Sequence, residues 1–471
     1  MSERVAVIGA GPLPIYSGQS SMGPGIRTWQ LAKPLARHGH EVFLVTFEFA
    51  IGDDWDFDAP RYEVDLAAMG AVQHLSLPEP LPGDYEALIE KVRGRLDRFQ
   101  PGVIVSAGAF FASRVAVSLN AEQPLWIDLF GNTMSEVQAK VARSEGNDSE
   151  FFRFLYRTEL ALLRRGDHFS ALSTPQKMAV IGQLAMAGRI NDKNFEQDLV
   201  DVIPCGFDGE TAMEPRRRVL RDVHVDADAF VVLWTGGFNS WVDERTLFEG
   251  VTRAMEQDAS LHWVSLGGGI RGHFQEGYRW FREQVEACPW RKRFLFLDWI
   301  PTDQVTDYYF ESDLGINVDL PIYEALLGGR NRIVAWMAAG LPTLTTETTE
   351  ISKLLREQEM GFTVPVKRPD LLADRLGKLS AERDRLPAVG RKARAYATHY
   401  LTFEATASPL LSWVENPHPA PDRAFLLKHG RGQRNSLEDT LDELSGLLER
   451  PSPRDSQSWL RRIARRARGK N

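Results

Sequence analysis

The chain is poor in cysteine, has no excess of positive charge and contains no long apolar run. Among 471 residues there are two cysteines, Cys205 and Cys288, far apart and outside any CxxC pair. This excludes a disulfide framework and a cysteine-held zinc site, and it fits a reducing compartment. Ten histidines occur without an HExxH spacing, so no zinc-protease helix is expected. A net charge of −8 excludes a dedicated nucleic-acid binder. No apolar run reaches the roughly 20 residues that span a bilayer. Strand-like sequence from Arg4 onward leaves no room for a signal peptide. These absences point to a cytoplasmic protein. With 43% apolar residues it is long enough for two or three domains with cores of their own.

What the chain does contain is alternation. Buried-strand patterns at 4–9, 41–45, 102–107, 125–129, 168–172 and 200–203 alternate with helical patterns at 28–38, 85–99, 111–120 and 149–165. Strand–helix alternation of this kind predicts an α/β fold with parallel sheets covered on both faces. Gly9-Ala10-Gly11 follows the first strand, but Pro14 stands where a dinucleotide fingerprint needs its third glycine. The connection instead runs on to Gly23, Gly25 and Arg27. Glycines there bring backbone N–H groups close to a ligand and the arginine adds a charge, so this is a candidate acceptor or phosphate loop; the bland reading is a flexible connection. DDWDFD at 53–58 holds two DxD patterns and reads as a solvated acidic loop. Asp128 lies near the carboxyl end of its strand, the edge where open α/β sheets bind ligands. It is a candidate for orienting the acceptor or taking its proton, against a structural role in capping the next loop.

A second run of strands and helices begins at Ala229. Its first strand ends in a glycine turn, Gly236-Gly237, and a later strand delivers the chain into DLPIYEALLGGRNRIVAWMAAGLPTL, 319–344. Here Glu324, Arg330 and Arg332 precede an apolar helix that Gly340 and Pro342 terminate. Helix starts offer unpaired N–H donors and a partial positive charge, and guanidinium forks bind phosphate oxygens in pairs. A diphosphate clamp between Gly236, Gly237, Arg330 and Arg332 follows, with Glu324 beside a sugar. The alternative is a solvated arginine pair at an ordinary helix start.

Several stretches carry a resemblance. GPGIRTWQLAKPLARHGHEV, LWIDLFGN, STPQKMAVIGQLAMAGRIN, VIPCGF, LWTGGFNSWVDERTL and DWIPTDQVTDYYFESDLGINV occur in the order found in glycosyltransferases of the two-Rossmann-domain (GT-B) type. The chain resembles the group-1, GT4-like family over most of residues 4 to 415. The resemblance implies a nucleotide-sugar donor held by Gly236, Gly237, Arg330 and Arg332. It implies a saccharide or lipid-linked acceptor, transfer with retention, and use in envelope polysaccharide or glycolipid synthesis. No cofactor beyond the nucleotide-diphosphate sugar and no metal is expected, arginines doing the charge neutralisation. Where the family has a pair of acids, this chain has Leu327 and Ala335, which leaves ribose recognition to Glu350 or Glu347. It also leaves open a catalytically impaired scaffold on the same fold, or another GT-B enzyme such as an epimerase or phosphorylase.

The expected organisation is a first Rossmann-like domain over 1–208, a linker over 209–228 and a second such domain over 229–398. Residues 399–416 would cross back onto the first domain, 417–435 form a linker, and 436–471 make a helix with a basic tail. Without 450–471 the chain holds 48 basic and 63 acidic residues, so an acidic body carries a tail near +7. Arginines interleaved with apolar residues over 459–468 would suit an anionic membrane surface, placing the protein at the inner face of the plasma membrane. A disordered tail is the plain alternative.

Overall fold

The computed structural model describes residues 2–16, 18–48, 63–65, 71–78, 85–108, 110–143, 149–211, 213–270 and 274–426. The acidic 53–58 loop and the 436–471 segment lie outside them. The chain divides into two units, Met1–Ala420 and Pro421–Asn471. Of the second, 421–426 are described, a turn followed by helical residues.

The first unit holds two sheets. In the first sheet β1 is Arg4–Gly11, β2 Glu41–Glu48, β3 Glu63–Asp65, β4 Val72–Pro78, β5 Val103–Ser106, β6 Leu125–Leu129, β7 His168–Ala171 and β8 Val200–Val202. Their order is β3-β4-β2-β1-β5-β6-β7-β8, with β3 antiparallel to β4 and the other pairs parallel. The second sheet takes β9 Phe230–Thr235, β10 Leu261–Leu266, β11 Phe294–Phe296, β12 Leu314–Asn317, β13 Thr343–Thr346 and β14 Phe362–Val364, in the order β11-β10-β9-β12-β13-β14 and parallel throughout. This is the doubly wound α/β architecture of the GT-B fold. The central strands read as continuous apolar runs because both faces are covered; β9 is buried at every position.

In each sheet the strand order reverses beside its first strand. β1 lies between β2 and β5, and β9 between β10 and β12. Connections leave such a point in opposite directions and open a crevice at the carboxyl edge. The segments leaving β1, β5, β6, β9 and β12 are among those that line the space between the two halves.

The first helix differs from its sequence reading. It starts at Gly23 rather than 28, with Pro24 in its first turn, where a missing N–H costs nothing. Gly23 and Gly25 are therefore helical, and the connecting loop is correspondingly shorter. Four elements of the first half that the periodicity did not separate are also present: β3, β4, a helix over Thr174–Met186, and a helix over Thr133–Arg143 that Asn132 caps by accepting from the Ser135 N–H at 3.0 Å. At the far end, Phe403–Thr406 and Ser408–Val414 pack on the first sheet, with Leu410, Trp413 and Val414 in one apolar cluster with Val5, Val7 and Trp29.

Candidate active site in the interdomain cleft

A cleft of about 1160 Å³ separates the two sheets. Its second-domain wall begins at β9, where Gly236 turns the chain with φ +84°, a conformation that favours glycine. The Gly236 N–H donates to the Leu266 carbonyl at 2.7 Å. A side chain on Gly237 would strike Ile270 at 2.3 Å, so the turn lies flat against the 267–270 loop with its backbone open to the cleft.

Arg330 and Arg332 both reach this wall, but their surroundings differ. Arg330 is buried between two carboxylates. Its Nε donates to Asp319 Oδ2 at 2.9 Å, while Nη1 and Nη2 donate to Glu324 Oε1 and Oε2 at 3.1 and 2.9 Å. Burial opposes its charge, but Asp319 and Glu324 more than compensate and hold its pKa above the ordinary arginine value. Its charge is thus already neutralised within the protein, and the Glu324 carboxylate is committed in the same pair.

Arg332 has no such partner among the described residues. Its Nη2 donates to the Gly237 carbonyl at 2.9 Å, its guanidinium lies 4.2 Å from the Trp234 ring centre, and Nη1 is buried without a hydrogen-bond partner. Burial pulls its pKa down to about 10, which leaves it charged at neutral pH. A cation with no carboxylate in ion-pair range among the described residues, set against a glycine turn, can take an anion.

The first-domain wall holds the helix starting at Gly23. Gly25 sits where a side chain would meet the Pro12 carbonyl oxygen at 2.0 Å, so its role is close packing of helix on loop. Arg27 is fully buried, its Nε and Nη2 bound to Asp128 Oδ2 and Oδ1 at 2.9 and 2.7 Å. Asp128 also accepts from Ser170 Oγ at 2.7 Å and from the Gly108 N–H at 3.3 Å. Its four bonds occupy the carboxylate and leave no lone pair for a substrate proton. Of this loop, Gly23 lines the cleft and Gly25 and Arg27 do not.

Glu350 lies outside the lining; its Oε2 accepts from the Thr174 N–H at 3.2 Å. Glu347 is likewise outside, in an ion pair with Arg356. Ala335 lines the cleft and brings no carboxylate to it.

Sequence reasoning missed Glu136. It projects from the Thr133–Arg143 helix into the cleft, next to Gly131, where a side chain would strike its Oε1 at 1.9 Å. Burial, then the nearby Glu324 and Glu159 charges, push its pKa up to about 8 despite Arg330. Its only sequence signal was a place four residues after an N-cap asparagine, which reads as helix-start chemistry. Arg143, at the end of the same helix, reaches across to the second domain and donates to the Ser240 and Val242 carbonyls at 2.7 and 2.9 Å. The loop ahead of Gly23 crosses too. Ser20 Oγ donates to the Ile300 carbonyl at 2.9 Å and the Ser21 N–H to Thr302 Oγ1 at 2.9 Å.

Residues 22–206 match the glycosyl transferase 4-like domain, and residues 229–382 match glycosyl transferases group 1. The chain belongs to the GT4-like, group 1 glycosyltransferases. In fold the glycosyltransferase is similar to sucrose-phosphate synthase from Thermosynechococcus elongatus, at 16% identity and TM-score 0.65, covering 88% of this chain and 98% of that one. It is similar to Anabaena Alr3699/HepE in complex with UDP-glucose, at 16% identity and TM-score 0.61, covering 88% and 99%. It is also similar to a glycosyltransferase from Rickettsia africae, at 13% identity and TM-score 0.58, covering 88% and 98%. No curated protein matches it in sequence. Among the described residues no helix is long and apolar enough to cross a membrane.

Proposed function

We propose that this glycosyltransferase takes a sugar from a nucleoside-diphosphate donor to a hydroxyl of a saccharide or lipid-linked acceptor, with retention at the anomeric carbon. The observation that carries this reading is Arg332, a cation with no ion-pair partner among the described residues, held at the Gly236-Gly237 turn. A diphosphate seated there meets a guanidinium and open backbone, and the same groups stabilise the charge that grows on it as the glycosidic bond breaks. A uridine nucleotide is the first donor to test, since HepE holds UDP-glucose on the same fold.

In this reading the acceptor oxygen attacks the anomeric carbon as the carbon–oxygen bond to the diphosphate breaks, and the hydroxyl proton passes to the departing phosphate oxygen. Glu136 takes part as a neutral carboxyl group. A second negative charge beside a diphosphate would oppose donor binding, and burial keeps this group protonated at neutral pH. It then donates a hydrogen bond to a sugar hydroxyl. The Asp128–Arg27 pair supports the first-domain wall. We place the enzyme in envelope polysaccharide or glycolipid synthesis, with the 459–468 segment resting on an anionic membrane.

The test is a thermal-shift titration with UDP, GDP, dTDP and ADP on the wild type and on Arg332→Gln. A ligand that binds only the folded state raises stability by about 2.7 kcal/mol at a hundred times its Kd. One nucleotide is expected to stabilise the wild type, with affinity about 10- to 100-fold weaker in the variant, the loss of a charge-assisted bond. No shift with any nucleotide at millimolar concentration would remove the reading.

A further inference from the structure

The Thr302–Phe310 helix of the second half begins without a cap of its own. Pro301 stands at its N-cap, and no side chain there accepts a hydrogen bond. The first N–H groups of a helix find no partner within it, so each takes one from elsewhere. For Thr302 that partner comes from the other half: its N–H donates to the Gln19 carbonyl at 2.9 Å. Beside this bond the Ser21 N–H donates to Thr302 Oγ1 at 2.9 Å, and the two hydroxyls meet at 2.8 Å. Ser20 Oγ donates to the Ile300 carbonyl at 2.9 Å, and the Gly18 N–H to Asp303 Oδ1 at 3.4 Å. Residues 18–21 are thus a strap from the first half that completes a helix of the second.

The strap is anchored from behind. Tyr16 Oη is hydrogen-bonded to His74 Nδ1, and the two ring centres lie 5.8 Å apart. His74 Nε2 meets Thr46 Oγ1 at 2.8 Å, and Thr46 Oγ1 donates to Glu48 Oε1 at 3.0 Å. The threonine proton is spent on the carboxylate, so Nε2 carries the imidazole hydrogen, Nδ1 accepts and Tyr16 donates. Burial pulls the pKa of His74 down to about 4, which keeps Nδ1 an acceptor at neutral pH. A chain of bonds therefore runs from β2 and β4 to the residue two before the strap.

The capped helix reaches the donor wall. Its Tyr309 is hydrogen-bonded to Thr235, the residue before Gly236, and lies in the field of the Arg332 charge. Ile300, Thr302, Tyr309 and Arg332 all line the cleft.

We propose that Tyr16 is a positioning residue for the donor: through the strap it holds the Thr302–Phe310 helix, and with it the Gly236 turn and Arg332, in the arrangement that takes a nucleoside diphosphate. This rests on the donor reading. A ligand that needs the arranged site binds with an affinity reduced by the fraction of molecules in which the strap is seated. Loosening the strap therefore weakens the donor without altering a group at its phosphates.

Two measurements on the whole protein test this: hydrogen exchange over 300–306 without nucleotide, and calorimetric titration with UDP, GDP, dTDP and ADP in turn. Tyr16→Phe keeps the ring and leaves His74 Nδ1 without its donor. Exchange over 300–306 should quicken at least fivefold, while strands β9 and β10 keep the wild-type rate. Affinity for the nucleotide that the wild type binds should fall about fivefold, the loss of one hydrogen bond. Ser20→Ala, remote from the β2–β4 anchor, should do the same, so a folding fault from Tyr16→Phe would stand apart. Wild-type exchange over 300–306 in both variants overturns the strap. Faster exchange with unaltered nucleotide affinity overturns the positioning role and leaves a packing contact. A wild type that binds none of the four nucleotides removes the donor reading and this role with it, whereas failure of the strap alone leaves wild-type binding intact.

Discussion

The guanidinium of Arg143 and the carboxylate of Glu244 meet across the interdomain cleft, with Nη2 at 2.5 and 2.7 Å from the two carboxylate oxygens. Arg143 ends the helix that carries Glu136, and Glu244 opens the helix that follows the Gly236-Gly237 turn. One ion pair through Nη2, together with the Nη1 bonds to the Ser240 and Val242 carbonyls, therefore ties the position of Glu136 to the position of Gly236 and Gly237. Arg143→Ala should cost about 1–3 kcal/mol of closed-state stability. Closure assembles a two-domain site, so KM should rise and kcat fall together. Steady-state kinetics on both substrates check this, and unchanged values for both parameters would rule out a latch.

Arg330 and Arg332 stand two residues apart and should respond differently. Arg330→Gln strands Asp319 and Glu324 as uncompensated buried carboxylates, a loss of about 3–5 kcal/mol. Arg332→Gln strands no carboxylate and loses one bond to the Gly237 carbonyl, so its unfolding free energy should stay within about 1 kcal/mol of the wild type. Urea denaturation of both variants tests the contrast. Equal destabilisation would mean that Arg332 is structural as well.

Glu136 gives a pH signature. Its folded pKa of about 8 exceeds the ordinary 4.5, so the protonated form is favoured by folding. That contribution to stability is complete below about pH 4.5 and is lost as pH rises toward 8. Activity that needs the neutral carboxyl group should fall as pH passes 8. Glu136→Gln keeps a neutral donor and should retain activity within about threefold while losing this limb; Glu136→Ala should lose about tenfold at pH 7. A wild-type rate that rises through pH 8 would contradict the neutral role and make Glu136 a base.

The Arg27–Asp128 pair is fully buried on both sides. Replacing Arg27 alone by Met should cost about 3–5 kcal/mol by leaving Asp128 charged in the core. Adding Asp128→Leu should restore part of that stability, because no buried charge is then unpaired. Chemical denaturation of the single and double variants measures it. If the double variant is as unstable as the sum of the singles, the pair's geometry rather than its charge balance supports the wall.

The α/β class and the two halves were legible in the sequence, because apolar runs of four to six residues between helical periods fit little else than buried parallel strands. So was the stretch from Asp319 to Gly340, since a cap glycine, a proline and an arginine-bearing helix start are local signals. Local signals end at the α-carbon. They marked Arg27, Arg330 and Arg332 alike as phosphate ligands, and only the tertiary structure decided which charge is already spent: Asp128, 101 residues on, takes Arg27, Asp319 and Glu324 take Arg330, and Arg332 keeps its own. Glu136 was invisible for the same reason, since its pKa comes from burial and from Glu324, which lies far along the chain in the other domain. Spacing along a chain determines which elements form. Whether a charged group is free to meet a ligand depends on what folding brings within a few ångströms of it.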